Sequence, residues 1–436
     1  MLACPLAADR RHRGGALEAG RRADGRTGRR MEGGPVRQRE LALFGGPPLA
    51  REPLQIVRPG LPDLDRFAEP FRRALASGQV TNHGPAVAEF EGRLAERLGA
   101  EVVVCSSGQA ALMIMLRAAG IESGEVIVPS YTFAATPHAV RWCGATPVFA
   151  DIGRDNALCL DPARVEERIG ERTVAILGVD VYGIACDYEA LEALGRRHGL
   201  RVLYDSAPAF GTRVGGRPIG AFGDAQIFSF HATKAFNTME GGCVVSRDRE
   251  LVRRARALRN FGQDDGADCA LPGMNGKMLE VCALIGLLQL EELDGMCRHR
   301  RRMAARFEKG LASLPGVSFA RVPAGQEPVW LYFPIVVEPE AFGLDRDQLA
   351  AALAKENVFA RKYFELPCHH MRAYGDQPHA PLPETERVAY RVLSLPVYND
   401  MTDEENDTIV RAIHEIHAEA DRVRERLAED GGGRRA

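Results

Sequence analysis

Seven short apolar segments alternate with helical segments through the middle of the chain, and this alternation constrains the fold more than any other feature. The predicted strands are residues 102–107, 125–130, 146–152, 173–179, 201–206, 225–230 and 241–246. Helices are predicted between them at residues 109–118, 136–143, 161–169 and 187–198. Strands that alternate with helices usually form parallel sheets covered on both faces. The sequence therefore predicts an α/β fold, in which helices sandwich a mainly parallel sheet.

After about residue 250 the pattern becomes mostly helical. Helices are predicted at residues 278–296, 345–355 and 402–424, and a strand is predicted at residues 329–338. The first of these helices has a long apolar face. We therefore predict a large α/β domain at 41–295 and a smaller C-terminal α+β domain at 296–425, followed by a frayed tail at 426–436.

Composition excludes several classes of partner. The formal net charge is −3, and no run of about 18 apolar residues is present, so we predict neither a nucleic-acid nor a membrane partner. The ten cysteines form no CxxC or similar metal-type pair, which predicts reduced thiols, a cytoplasmic enzyme and no metal site. Residues 1–40 are rich in arginine without a following apolar segment, so they are not a secretory signal. We interpret them as a disordered extension or as an early start assignment, with Met31 as the alternative start; a nucleic-acid-binding arm is the other interpretation.

Two ionisable residues lie where predicted strands end, which is the edge at which open α/β sheets bind ligands. Asp205 closes one strand, and Lys234 follows another among aromatic and small residues. Poor solvation frees a lysine amine to react with an aldehyde. A carboxylate beside a pyridine nitrogen keeps that nitrogen protonated. Taken separately, each residue also has an ordinary interpretation, as a lysine that reaches solvent and as an aspartate in a turn.

Three further features fit the same chemistry. Ser106, Ser107, Gly108 and Gln109 form a small-residue turn that leads from a predicted strand into a predicted helix. Backbone N–H groups at such a helix N-terminus bind phosphate. Ser229, five residues before Lys234, offers a hydroxyl to the same phosphate. Phe133 follows the second strand and either stacks on a planar ring or packs in the core. The order of phosphate loop, aromatic residue, aspartate and lysine indicates an enzyme that uses pyridoxal 5'-phosphate (PLP).

Over residues 41–415 the chain resembles the DegT/StrS-type sugar aminotransferases, a branch of the fold-type-I PLP-dependent transferases. The resemblance is carried by residues 125–152, 216–246 and 273–294. Residues 41–49, 78–91, 231–242 and 374–396 are similar to the dTDP-4-keto-6-deoxyglucose 4-aminotransferases of the desosamine-pathway kind. The resemblance implies transamination of a nucleotide-linked keto-deoxysugar, with glutamate or glutamine as the amino donor.

The resemblance also implies roles for individual residues. Lys234 holds PLP covalently and moves the proton, Asp205 pairs with the pyridine nitrogen, and Phe133 stacks on the ring. The implied phosphate ligands are Gly108, Gln109 and Ser229, with Asn275 of the neighbouring subunit, which makes the enzyme a homodimer with shared active sites. Contacts with the donor carboxylate or the sugar diphosphate are expected from Arg361, Lys362, Tyr363 and His369, for which a structural or solvated role is the alternative.

Two positions depart from the family pattern. Gln109 stands where threonine is usual, and Pro208 stands where histidine or glutamine usually contacts the cofactor. Proline has no side-chain donor, so reactivity or substrate choice is expected to differ there. Two alternatives remain open: a ketocyclitol aminotransferase that acts on a substrate such as scyllo-inosose, and a PLP-binding regulatory protein without turnover. Lys234 argues against the related dehydratases, which have histidine at this position.

Overall fold

The structure is a computed structural model that describes residues 39–155, 157–263 and 268–432. The predicted N-terminal extension therefore lies almost entirely outside the described residues. The helices are α1 (Leu64–Ser77), α2 (Pro85–Leu98), α3 (Gly108–Ala118), α4 (Ala135–Trp142), α5 (Pro162–Glu166), α6 (Tyr188–His198), α7 (Arg249–Arg259), α8 (Glu280–Leu311), α9 (Pro339–Phe342), α10 (Arg346–Lys355), α11 (Pro383–Ala389), α12 (Asp403–Ala418) and α13 (Ala420–Gly432). Within this part of the chain, none of the helices combines the length and the apolar character needed to cross a membrane.

The strands form one large sheet and two small ones. They are β1 (Glu101–Cys105), β2 (Glu125–Pro129), β3 (Thr146–Ala150), β4 (Thr173–Val179), β5 (Arg201–Asp205), β6 (Arg213–Val214), β7 (Arg217–Pro218), β8 (Ala225–Ser229), β9 (Gly242–Ser246), β10 (Val317–Phe319), β11 (Gln326–Glu327), β12 (Phe333–Val337) and β13 (Val392–Leu395). The large sheet has the order β1-β9-β8-β5-β4-β2-β3. The small sheets have the orders β10-β12-β13 and β11-β6-β7.

One strand of the large sheet runs against all the others. The pairs β2–β3, β2–β4, β4–β5 and β5–β8 are parallel, whereas β9 is antiparallel to both of its neighbours, β8 and β1. Side chains of β1 alternate between two apolar clusters: Val102 and Val104 belong to one, Val103 and Cys105 to the other. A strand buried on both faces in this way is typical of a sheet sandwiched by helices, so the predicted fold class is confirmed.

A third apolar cluster is built around the sheet of β12 and β13 and the helices α10 and α12. Residues near the start of the described chain, Leu41, Leu43, Leu54 and Ile56, also pack in it, although the prediction assigned them to the large domain. The helix α8 runs through the predicted boundary at 295/296. The exact division into two domains therefore stays a prediction.

The C-terminal elements differ from the prediction in their lengths. The helix predicted at 402–424 consists of α12 and α13, which meet at Glu419. The tail predicted to be frayed at 426–436 is helical as far as Gly432, and the remaining residues lie outside the described part. The helix α13 is anchored by Val423, whose side chain is fully buried in the third cluster.

Candidate active site

The carboxyl ends of the parallel strands share one edge of the large sheet, and the predicted site residues follow those ends. The phosphate loop follows β1, Phe133 follows β2, Asp205 ends β5, and Lys234 follows β8. The reversed strand β9 begins at this edge, where Gly242 pairs with Cys105 on one side and Ser229 on the other. The topology therefore brings together residues that are more than 100 positions apart.

The carboxyl group of Asp205 is buried and held by two donors. Thr136 Oγ1 donates to its Oδ2 at 2.7 Å, and the backbone N–H of Ala207 donates to its Oδ1 at 3.1 Å. Burial raises the pKa of Asp205, while these hydrogen bonds and the charge of Lys234 oppose that rise. Thr136 lies in the first turn of α4, so the loop that carries Phe133 is tied to the carboxylate. This arrangement suits a carboxylate that pairs with a cationic ring nitrogen.

Lys234 lies in a turn after β8, where its backbone N–H donates to His231 O at 2.8 Å. Burial lowers the pKa of Lys234, and the charge of Asp205 opposes this effect. A lysine with a lowered pKa has a larger fraction of free amine, which is the nucleophilic form. The pocket beside Lys234 is also lined by residues from the start of the described chain and from the C-terminal half: Val57, Arg58, Thr233, Arg300, Leu331, Tyr332, Val397, Tyr398 and Asn399.

The phosphate loop is packed so closely that only glycine fits at its centre. A Cβ on Gly108 would lie 2.7 Å from the Cβ of Ser229, and a Cβ on Gly242 would lie 2.8 Å from the backbone nitrogen of Gly108. Ser107 caps α3 by accepting a hydrogen bond from Ala110 N at 3.1 Å. The first N–H groups of a helix have no partner within it, so those of Gly108 and Gln109 are suited to an anion.

Phe133 and Asn275 are exposed. The Phe133 side chain is 66% exposed at the start of α4. Asn275 lies on the loop before α8, next to Gly276, whose carbonyl accepts a hydrogen bond from Ser106 N at 2.7 Å. This bond anchors the Asn275 loop beside the phosphate loop of its own chain and leaves the Asn275 side chain exposed at the surface.

The weaker substrate candidates lie in the C-terminal half, and Tyr363 contacts the pocket wall. Its ring lies 5.3 Å from that of Tyr332, which lines the pocket, and its carbonyl accepts hydrogen bonds from Tyr131 and Tyr182. Lys362 forms ion pairs with Asp347 and Glu365 at 3.2 Å and 2.8 Å, and Arg361 joins Ser394 through its backbone.

The side chain of His369 is fully buried outside this pocket. Its Nδ1 lies 2.6 Å from Ser130 Oγ, and its Nε2 lies 3.4 Å from Glu386 Oε1. Burial, together with the neighbouring His370 and His379, lowers the pKa of His369 to about 4. Both ring nitrogens face protein atoms, so the structure supports the structural interpretation of this residue rather than a substrate contact.

The two departures from the family pattern are both at the site. Pro208 lies in the turn directly after Asp205, where Ala209 N donates to Ser206 O at 2.9 Å. Gln109 is the second residue of α3 and is partly exposed. Neither position removes the backbone groups or the carboxylate on which cofactor binding depends.

Sequence reasoning missed three residues that shape the site. Thr136 holds Asp205, as described above. Arg300 is buried and donates to Trp330 O, Leu331 O, Val397 O and Asn399 Oδ1 at 2.7–3.0 Å. Asn399 in turn donates to Ala235 O, next to Lys234, at 2.8 Å. No local sequence motif marks Arg300 or Asn399. Thr136 could have been found, because it is a small polar residue at the start of the helix that follows Phe133.

These residues fit PLP. A buried carboxylate, a lysine with a lowered pKa and a tight glycine cradle at a helix N-terminus match its ring nitrogen, its aldehyde and its phosphate. The fold and the site together define a PLP-dependent aminotransferase.

Comparison with known proteins identifies the family. The model of the DegT/DnrJ/EryC1/StrS aminotransferase family matches residues 63–414, and the chain belongs to this family. A dTDP-4-amino-4,6-dideoxy-D-glucose transaminase of Shigella dysenteriae is 36% identical over 368 residues, which cover 84% of this chain and 99% of that protein. The predicted family and cofactor are thereby confirmed.

Two solved structures are similar over nearly their whole length. The structure of DesI in the presence of its TDP-sugar product has 42% sequence identity and a TM-score of 0.83, and the match covers 89% of this chain and 98% of that one. The structure of DesV from S. venezuelae has 34% identity and a TM-score of 0.75, with 84% and 99% covered. The fold around the site is therefore shared with these two solved structures.

Proposed function

We propose that this enzyme transfers an amino group from glutamate or glutamine to the C4 keto carbon of a dTDP-linked 4-keto-6-deoxyhexose. The proposal rests mainly on the buried carboxylate of Asp205 and the half-buried Lys234, whose pKa is lowered, at the carboxyl edge of the sheet. The names of the Shigella relative and of DesI support the nucleotide-linked sugar as the acceptor. The cysteines of the described residues are unpaired thiols, which supports a reducing compartment such as the cytoplasm.

The site residues have defined tasks in this proposal. Lys234 would hold PLP through its Nζ, Asp205 would pair with the ring nitrogen, and Phe133 would contact the ring. The N–H groups of Gly108 and Gln109 and the hydroxyl of Ser229 bind the phosphate. When bound, PLP supplies the electron sink that lets an amino group move between two carbon skeletons.

Lys234 is also the proton carrier. Burial lowers its pKa, so a free amine is available to take a proton and return it to a neighbouring carbon. Thr136 and Ala207 fix the Asp205 carboxylate, so it would remain paired with the cationic ring nitrogen of bound PLP. Tyr363, beside the pocket wall, is the candidate that we retain for contact with the donor or the sugar, with Arg361 next to it in sequence.

We further propose a homodimer in which Asn275 completes the phosphate site of the partner subunit. Phe261 and Leu279, 14 and four positions from Asn275, have exposed side chains, as does Met239. The helix α1 has no buried residue although it packs on α8. Exposed apolar side chains of this kind are typical of a surface that another chain covers.

A complementation experiment tests the shared site. Lys234→Ala and Asn275→Ala are each expected to be nearly inactive alone. If Asn275 acts across the interface, a mixed dimer has one intact site of its two, so random mixing is expected to restore about a quarter of the wild-type activity. No recovery, with mixed dimers demonstrated by mass spectrometry, would place Asn275 in its own chain's site.

The choice of acceptor is tested directly. Purified enzyme is incubated with glutamate or glutamine and either dTDP-4-keto-6-deoxyglucose or scyllo-inosose, with Lys234→Ala as the control. We expect an amino sugar from the dTDP substrate only, because the names of the Shigella relative and of the DesI structure specify nucleotide-linked sugars. Amination of scyllo-inosose alone would favour the ketocyclitol alternative, and failure of every donor to react would favour the regulatory one.

A further inference from the structure

A second group of polar side chains lies beside the end of β2, outside the pocket next to Lys234. Three potential metal-binding atoms, one each from His369, His370 and Glu386, all lie within 4.8 Å of one another. His369 Nε2 is 3.4 Å and His370 Nε2 is 3.6 Å from Glu386 Oε1. The mechanism proposed above uses none of these side chains.

The two separations match the spacing of ligands around one small cation. Zinc binds histidine nitrogen and carboxylate oxygen at about 2.0–2.2 Å, so two ligands of a tetrahedral ion lie roughly 3.3–3.6 Å apart. A direct charge-assisted hydrogen bond between imidazole and carboxylate is shorter, at about 2.7–2.9 Å. The observed spacing between His369 and Glu386 therefore suits two ligands of a common ion better than a hydrogen-bonded pair.

The buried ligand is oriented from behind. His369 Nδ1 lies 2.6 Å from Ser130 Oγ, which also accepts the backbone N–H of His369 at 3.0 Å. A second hydrogen bond of this kind fixes the ring of a metal-binding histidine and directs its other nitrogen to the ion. Cys368 N donates to Ser130 O at 2.9 Å, so this segment is attached to the end of β2 at three points.

The opposite side of the group is open to solvent and offers a further imidazole. The side chains of His370 and Glu386 are partly exposed, and the ring of His379 lies 4.6 Å from that of His369. His379 Nδ1 faces Ala380 O at 3.1 Å, which leaves its Nε2 for another contact. An ion thus has an entry path from solvent.

We propose that His369, His370 and Glu386 bind one divalent transition-metal ion of the zinc class. The ion joins the segment at residues 368–370 to α11, which carries Glu386, and fixes both to Ser130 at the end of β2. Cysteine spacing gave no sign of a metal site, because these ligands are two histidines and a distant glutamate. The proposal does not depend on which sugar the enzyme aminates.

Metal binding by the PLP-loaded, untagged full-length chain tests the proposal. After removal of metals with EDTA, the protein is dialysed against Zn²⁺ and the bound zinc is measured by elemental analysis. We compare wild type with His370→Ala and Glu386→Gln, whose side chains are partly exposed and whose loss leaves the core intact. The matched control is His198→Ala, since His198 lies 3.9 Å from Glu166 in another surface pair.

The proposal predicts about one zinc ion per chain in wild type and in His198→Ala. Affinity is expected to fall at least about 100-fold in His370→Ala and Glu386→Gln, because loss of a ligand exceeds the usual 10–100-fold effect of an outer-shell change. Zinc is expected to raise the Tm of wild type but not of those two variants. Absence of zinc binding in wild type, or binding that both variants retain, would overturn the proposal.

Discussion

Replacing Gly108 by alanine tests the close packing on which the phosphate loop depends. The new Cβ would lie 2.7 Å from the Cβ of Ser229, whereas carbon atoms in contact are about 3.5–4.0 Å apart. The two groups must therefore separate by about 1 Å. Ser229 belongs to β8 within the large sheet, and Gly242 approaches the Gly108 nitrogen from β9, so relaxation requires movement of backbone.

We expect Gly108→Ala to lower the free energy of unfolding by about 1–3 kcal/mol, the usual cost of overpacking a close-packed site. The same movement displaces the N–H of Gly108 from the phosphate. Loss of one hydrogen bond to a charged group is worth about 1.5–3 kcal/mol, so PLP affinity is expected to fall by about tenfold or more. Urea unfolding of the apoprotein and a PLP titration measure the two effects separately.

Gly295→Ala is the matched control. Gly295 lies inside α8, and a Cβ added there would have no heavy atom within 4 Å outside its own helix turn. Alanine is preferred to glycine inside a helix, so this change is expected to stabilise the chain by about 0.5–1 kcal/mol without affecting PLP binding. Replacing glycine by alanine is thus expected to lower the free energy of unfolding at position 108 and to raise it at position 295. A Gly108→Ala protein as stable as wild type, with unchanged PLP affinity, would refute the packing argument.

Three further changes have defined outcomes. Thr136→Val removes the hydrogen bond to Asp205, which raises the carboxyl pKa further, and is expected to weaken PLP binding about tenfold in a titration of the apoprotein; unchanged affinity would contradict this role. Burial raises the pKa of Asp180 to about 6 from 3.8, so between these pH values the folded state retains a proton that the unfolded state releases. The stability that Asp180 contributes is therefore fully present below pH 3.8 and is lost as the pH rises through about 6. In urea unfolding, the free energy of unfolding of wild type relative to Asp180→Asn is therefore expected to fall by roughly 3 kcal/mol over that range. A difference between the two proteins that does not change with pH would contradict the assignment. Asn399→Ala leaves Ala235 O without its donor and is expected to cost about 1–3 kcal/mol of stability and to slow turnover; a fully active, equally stable variant would show that the link to the lysine turn is unimportant.

The strands and the order of the site residues were predictable because they depend on local patterns. Short β-branched runs predict strands, and parallel pairing brings their carboxyl ends to one edge, so Asp205 and Lys234 were placed at the same site. The reversal of β9 was not predictable in this way, because an apolar strand buried on both faces looks the same in either direction.

The features that sequence reasoning missed depend on contacts between distant parts of the chain. Val57 and Asn399 line the same pocket as Lys234, yet neither lies in a motif, and no periodicity relates them. Glu386 similarly lies in a helix with no resemblance to a metal-binding motif. Such groupings follow from how the C-terminal elements and the start of the described chain pack together, which a single sequence does not specify.

Covalent trapping of the cofactor identifies the lysine that holds PLP. Borohydride treatment of the PLP-loaded enzyme fixes the cofactor on the lysine that holds it, and peptide mass spectrometry then identifies that residue among Lys234, Lys277, Lys309, Lys355 and Lys362. We expect the label on Lys234 alone, and we expect it to be lost after prior incubation with glutamate or glutamine. In Lys234→Ala we expect no label at any lysine. A label on another lysine, or turnover by Lys234→Ala, would contradict the role of Lys234.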